Sequence, residues 1–159
     1  QARLRWHDLA ARLNVDFETN DRPPSFRWFP YRSWPARIDP PDEGSLDVES
    51  LLALVELLAA PDGGATTNCI AYYSPLANGA RFDETWMRET EVTAVPSLVD
   101  RSAGRVGSPS NWWSLDTSWM VYTDWDLWAT KVSGPEALIA AIERDQRLEC
   151  IRWTQGAAS

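Results

Sequence analysis

The sequence contains few of the residues on which disulfide-rich, metal-binding and secreted proteins depend. Its 159 residues include two cysteines, Cys69 and Cys150, and a single histidine, His7. Two thiols do not make a disulfide framework, and no set of His and Cys residues has the spacing of a zinc site. We therefore expect no metal and no cofactor. Both thiols are expected to be free, with one bridge between neighbouring strands as the alternative.

Long apolar runs are also absent. The longest, over residues 51–60, is interrupted by Glu56 and falls short of the roughly 20 residues needed to span a bilayer. No apolar run follows Arg3 and Arg5 near the start, so the pattern of a signal peptide is not visible. We therefore expect a cytoplasmic protein in a reducing compartment, without membrane association.

Basic residues are too few and too scattered to bind phosphates. The net charge is −8, and residues 38–80 contain seven acids and no base. Nucleic acid is therefore not an expected partner, because phosphate binding needs clustered Lys and Arg. The acidic segment predicts either a docking surface for a basic protein partner or a solvated surface that maintains solubility. In the docking interpretation the contact residues are Asp39, Asp42, Glu43, Asp47 and Glu49.

The residues needed for several common mechanisms are missing. His7 lies beside Asp8 without a recognisable nucleophile nearby, and no glycine-rich phosphate-binding motif occurs. No catalytic residue is predicted, and a non-enzymatic protein is favoured while an enzyme stays open as the alternative. The best pair of carboxylates, Asp124 and Asp126, suits either acid–base chemistry in a pocket or an ordinary turn.

Tryptophan, in contrast, is abundant. There are ten, and five fall within residues 112–128. Each buries about 150–250 Å² when packed, so most are expected in the core. Trp112 and Trp113 are adjacent and cannot both point inward if their segment is extended. The alternative is an aromatic-lined pocket for a sugar or aromatic ligand, in a binder or a hydrolase. The residues predicted to line it are Trp112, Trp113, Trp119, Trp125, Asp124 and Asp126.

Three helices are predicted from apolar periodicity and capping residues. They cover residues 5–13, 46–60 and about 135–145. Ser45 or Asp47 caps the second helix, and Ser133 with Glu136 forms a capping box for the third. The stripe expected to face the core from the second helix consists of Val48, Leu51, Leu52, Val55, Leu58 and Ala59.

Short strands are predicted from composition and alternation. They cover residues 26–29, 68–74, 91–95, 118–124, 127–132 and 147–153, with 118–124 and 127–132 joined as a hairpin. Residues 14–44 contain many prolines and are expected to be otherwise irregular. The predicted fold class is α+β, with an antiparallel or mixed sheet, two main helices on one face and a Pro-rich N-terminal arm. All 159 residues are assigned to one domain: a helix and arm over 1–44, a core over 45–153 and a tail over 154–159.

The segment that follows the second predicted strand carries a resemblance. Residues 109–113 read Pro-Ser-Asn-Trp-Trp and are followed by Trp119, a Val-Tyr-Thr strand, an acidic turn and a Ser/Gly-capped helix. This order resembles a set of small uncharacterised bacterial proteins, although Ser114 stands where their pattern has a second proline. The similarity covers about residues 45–153 and implies no activity. The order of strand, strand and capped helix is also similar to that of SUKH immunity and regulatory proteins, which implies a protein-binding role.

Overall fold

A computed structural model describes residues 4–15, 26–60, 68–74, 86–99, 107–123 and 128–152. The chain forms two compact units. One contains Gln1–Pro40 and Glu149–Ser159, and the other contains Pro41–Leu148. Each unit is considered by itself below, and the assignment of the whole chain to one domain stays a prediction.

The larger unit is built on a five-stranded antiparallel sheet. The strands are β1 (Asn68–Tyr73), β2 (Trp86–Glu91), β3 (Asn111–Ser114), β4 (Met120–Thr123) and β5 (Thr130–Ser133). Their spatial order is β2-β1-β3-β4-β5, and every neighbouring pair is antiparallel. The predicted strand over 68–74 is confirmed with shorter bounds, and the predicted hairpin is confirmed, with its second strand over Thr130–Ser133 instead of 127–132.

Alternation along these strands sends one set of side chains to an inner face. A central row of this face joins cross-strand partners from four strands: Ala71, Trp112, Val121 and Val132. Ala71, Trp112 and Val121 are fully buried. The small Ala71 lies opposite Trp112, which leaves room for the indole ring above β1.

Two helices, α2 (Val48–Ala59) and α3 (Glu136–Arg144), pack on this inner face. Leu51, Leu58, Leu138 and Ile142 join the strand residues in one hydrophobic cluster. Val92 and Val95, from a 3₁₀ helix over Val92–Leu98, complete it. The predicted α+β fold with an antiparallel sheet is therefore confirmed.

The stripe that α2 presents to the core differs from the predicted one. Val48 is 72% exposed and Leu52 is 45% exposed, whereas Ala53 and Leu54 are buried. Leu51, Val55 and Leu58 are buried as predicted. The helix is apolar on more than one side, so periodicity alone could not decide which side faces the sheet.

The start of α3 also differs from the prediction. Ser133 is the last residue of β5, and the residue before the helix is Pro135, which forms no side-chain cap. The predicted capping box is therefore wrong. Ser133 pairs with Met120 across the β4–β5 ladder, and this pairing fixes it in an extended conformation.

One further strand prediction is wrong, and one strand of the sheet was not predicted. The strand expected over 91–95 is wrong, because β2 ends at Glu91 and the next residues form the 3₁₀ helix. The short strand β3 was not predicted, because proline, serine and glycine before it indicated a loop. The extended pair in β3 nevertheless behaves as expected, since Trp112 is buried and Trp113 is only partly buried.

The smaller unit contains α1 (Trp6–Leu13), which the sequence predicted, and two 3₁₀ helices over Phe26–Trp28 and Pro30–Arg32. The strand predicted over 26–29 is therefore wrong. The strand predicted over 147–153 is also wrong across its described part. Instead, the Glu149 carboxylate accepts hydrogen bonds from the backbone N–H groups of Trp6 and His7, both at 2.8 Å. A distant carboxylate thus supplies the N-terminal partner that α1 lacks locally.

The two cysteines form no disulfide and lie in different environments. Cys69 is fully buried, and burial raises its pKa to about 11, whereas Cys150 is exposed. Because the thiolate is the reactive form, we expect a thiol reagent such as DTNB to label Cys150 in the native protein and Cys69 only after unfolding. A Cys150→Ser variant serves as the control. Rapid native labelling of that variant would contradict the placement of Cys69 in the core.

Candidate functional site

The second face of the sheet bears two complete rows of cross-strand neighbours, which we call the open face. Row one contains Glu89, Ile70, Trp113, Met120 and Ser133. Row two contains Met87, Tyr72, Asn111, Tyr122 and Lys131. Because directly paired residues of antiparallel strands project to the same side, all ten side chains lie opposite the face that packs on α2 and α3.

Large apolar side chains of the open face are accessible to solvent. Met87 is 62% exposed, Met120 is 43% exposed and Tyr122 is 38% exposed. Ile70, Tyr72 and Trp113 are half-buried. A contiguous exposed apolar patch is typical of an interaction surface, whereas single exposed apolar residues are common on any protein surface.

Polar groups lie at defined places on the open face. Glu89, in edge strand β2, accepts a 3.2 Å hydrogen bond from the Asn68 side chain, and Lys131 lies in the opposite edge strand. Asn111 occupies the centre of row two, and its buried side-chain oxygen has no hydrogen-bond partner among the described residues. The face therefore has an apolar middle and charges of opposite sign at its two edges.

Helix α2 presents a second surface, which we call the outer face of α2. It consists of Val48, Glu49, Leu52 and Glu56. Leu52 lies three or four residues from each of the other three, so the four share one side of the helix. All four are exposed. Glu56 pairs with Arg147 at 2.6 Å, and Arg147 also binds Asp145 at 2.7 Å. Two exposed aliphatic side chains thus lie among carboxylates.

The residues predicted to bind a partner are all exposed, but they are not equivalent. Asp47 caps α2, accepting hydrogen bonds from the backbone N–H of Ser50 at 3.0 Å and from its hydroxyl at 2.7 Å. Asp39 belongs to the smaller unit. Asp42 and Glu43 directly precede the helix, and Glu49 lies on its outer face. Asp42 and Glu43 lie in the exposed segment before the helix and are the acids assigned to partner contact at this surface.

The residues predicted to line a ligand pocket are distributed differently from the expectation. Trp112 and Trp119 are buried in the core and pack edge-to-face with ring centroids 5.7 Å apart. Neither ring offers a face to a ligand, because each is at most 1% exposed. The indole nitrogens of both are buried without a hydrogen-bond partner. Trp113 is partly exposed on the open face, and Asp124, Trp125 and Asp126 lie outside the described residues.

Two described carboxylates have lowered pKa values, and hydrogen bonds explain both. Hydrogen bonds from Ser114 and Ser118 hold the pKa of Asp116 below its ordinary value. Hydrogen bonds from Arg147 lower the pKa of Asp145 to about 2. A carboxylate with a lowered pKa is a weak base at neutral pH, so these groups suit structural roles better than general base catalysis.

The open face was not predicted from the sequence, although part of its signal was present. Alternation along residues 119–122 places Met120 and Tyr122 on one face and Trp119 and Val121 on the other, and the first two are exposed while the last two are buried. The register between strands could not be read from the sequence, and register decides which residues become neighbours.

In the part of the chain that the structure describes, no group of three potential metal ligands occurs, and no helix has the length and apolar composition of a membrane span.

Replacing Asp47, which caps α2, tests whether this acid stabilises the fold while the exposed Asp42 does not. We expect Asp47→Ala to lower the free energy of unfolding by about 1 kcal/mol, because Ser50 loses both bonds to the cap. The matched variant Asp42→Ala should stay within about 0.5 kcal/mol of the wild type, as is usual for surface substitutions. Urea unfolding measures both. Equal effects of the two substitutions would contradict the assignment of Asp47 as the cap.

Comparison with known proteins adds no relative to this description. No protein-family model, curated protein or solved structure matches this chain.

Proposed function

We propose that this chain is a non-enzymatic protein-binding domain of an immunity or regulatory type, which binds a basic protein partner through the outer face of α2. The observation that carries the proposal is the exposure of Val48 and Leu52 on a helix whose described neighbours include several acids. An apolar centre with a charged surround is the usual anatomy of a protein interface.

Charge supports the choice of partner. Over the described residues 38–60 every charged side chain is acidic, and the acids at 39, 42, 43, 47, 49 and 56 are all exposed. Complementary charge accelerates association and excludes partners of like charge. Glu56 is paired with Arg147 and Asp47 caps the helix. The attraction to a basic partner is therefore assigned to Asp42 and Glu43.

The apolar contribution is assigned to Leu52. Val48 and Leu52 are one helical turn apart and expose adjacent side chains, so a partner can cover both together. Fully burying an aliphatic side chain contributes about 1.5–3 kcal/mol. The gain at Leu52 is smaller, since it is 45% exposed in the free chain.

The test begins with affinity capture from the native host, identification of the captured protein by mass spectrometry, and titration calorimetry with that purified protein. We expect Glu43→Lys and Leu52→Gln each to weaken binding roughly tenfold, which corresponds to about 1.4 kcal/mol. Neither change should lower the melting temperature substantially, because both side chains are exposed.

Matched controls separate this surface from the rest of the molecule. Glu143→Lys makes the same charge change on α3, and Met120→Gln removes an apolar side chain of nearly the same exposure from the open face. Both controls should retain wild-type affinity. A partner that is acidic, or that binds the Glu43→Lys and Leu52→Gln variants as tightly as the wild type, would overturn the proposal.

A further inference from the structure

We propose that the open face is the interface of a symmetric dimer, and that its occupant is a second copy of this chain. The inference goes beyond the proposed function and does not rest on it, since the open face and the outer face of α2 are different surfaces. The two rows on one copy are complementary to the same two rows on a second copy.

The open face exposes apolar side chains that a further layer could cover. A sheet is stable when both apolar faces are covered, and two sheets commonly pack face to face about 10 Å apart. The inner face is covered by α2 and α3. On the open face, Met87, Met120 and Tyr122 remain at least 38% exposed. A second open face of the same shape would cover these side chains in an aligned sandwich of two sheets.

The edge charges favour one arrangement of the two copies. A two-fold axis parallel to the strands and above β3 places β2 of each copy over β5 of the other, because β3 is the middle strand. Glu89 then lies over Ser133 of the second copy. Lys131 is two residues from Ser133 along β5, so its long side chain reaches Glu89. Two identical Glu89–Lys131 pairs result, as an isologous interface requires.

The same axis brings Asn111 and Trp113 of one copy against the same residues of the other. The Asn111 side-chain oxygen is inaccessible to solvent, so the second copy contacts the rest of this side chain and not that oxygen. Trp113 adds an aromatic contact beside it, of the kind enriched at interface centres.

The size of the face sets the expected strength. Five strands about 4.8 Å apart and two rows about 7 Å apart give a patch of roughly 340 Å² per copy. This is below the roughly 800 Å² per partner of a standard stable interface. We therefore expect a weak, reversible dimer rather than a permanent one. At about 0.15 M salt the repulsion between two acidic chains is screened beyond about 8 Å.

Charge exchange tests the arrangement. Sedimentation velocity and equilibrium over about 1–500 µM should show a monomer–dimer equilibrium for the wild type. Glu89→Lys and Lys131→Glu should each weaken it at least tenfold, since each variant places like charges against one another. The double variant Glu89→Lys/Lys131→Glu restores opposite charges and should return the dissociation constant to within about threefold of the wild type.

Apolar variants supply an independent measurement. Met120→Gln should weaken the dimer, whereas Leu52→Gln, at nearly equal exposure on α2, should leave it unchanged. Circular dichroism confirms that each variant is folded. A wild type that stays monomeric throughout, or a double variant no better than the weaker single variant, would overturn the proposal. If another segment of this chain or a different protein covered the open face, the wild type would stay monomeric or the double variant would not recover the dimer.

Discussion

The edge-to-face contact between Trp112 and Trp119 at the centre of the sheet is the interaction on which the larger unit depends. Both rings are essentially inaccessible to solvent and join the side chains of α2 and α3 in one cluster. Because side chains alternate along a strand, burying Trp112 on the inner face sends Asn111 and Trp113 to the other face. The position of one indole ring therefore determines the composition of both faces.

The same reasoning explains why two apolar surfaces remain outside the core. Helix α2 is rich in leucine and valine, and it buries Leu51, Leu54 and Leu58 while Val48 and Leu52 face solvent. The inner face of the sheet accommodates only one side of each helix, so the remaining apolar side chains stay exposed. The acids around Val48 and Leu52, and the charges of opposite sign at the two edges of the sheet, distinguish these two surfaces from each other chemically.

The sequence predicted the elements better than their contacts. The two main helices, the strand at 68–74 and the β4–β5 hairpin follow from periodicity and turn residues, which are local properties. The N-terminal partner of α1 is Glu149, at the far end of the chain, and no local pattern reports it. The open face was missed for the same reason, since its rows depend on a register that brings Glu89, Trp113 and Ser133 together. The predicted ligand pocket counted Trp112 and Trp119 as surface candidates, whereas the contact between their rings is a tertiary feature.

The central claim is that Trp112 supports the core while its neighbour Trp113 does not, and comparison of the two alanine variants by urea unfolding tests it most directly. The account predicts that Trp112→Ala lowers the free energy of unfolding by about 3–5 kcal/mol or prevents folding, as expected for a large buried side chain. Trp113→Ala, measured at a concentration where the chain is monomeric, should cost no more than about 1.5 kcal/mol. Equal costs for the two variants, or a larger cost for Trp113→Ala, would contradict it.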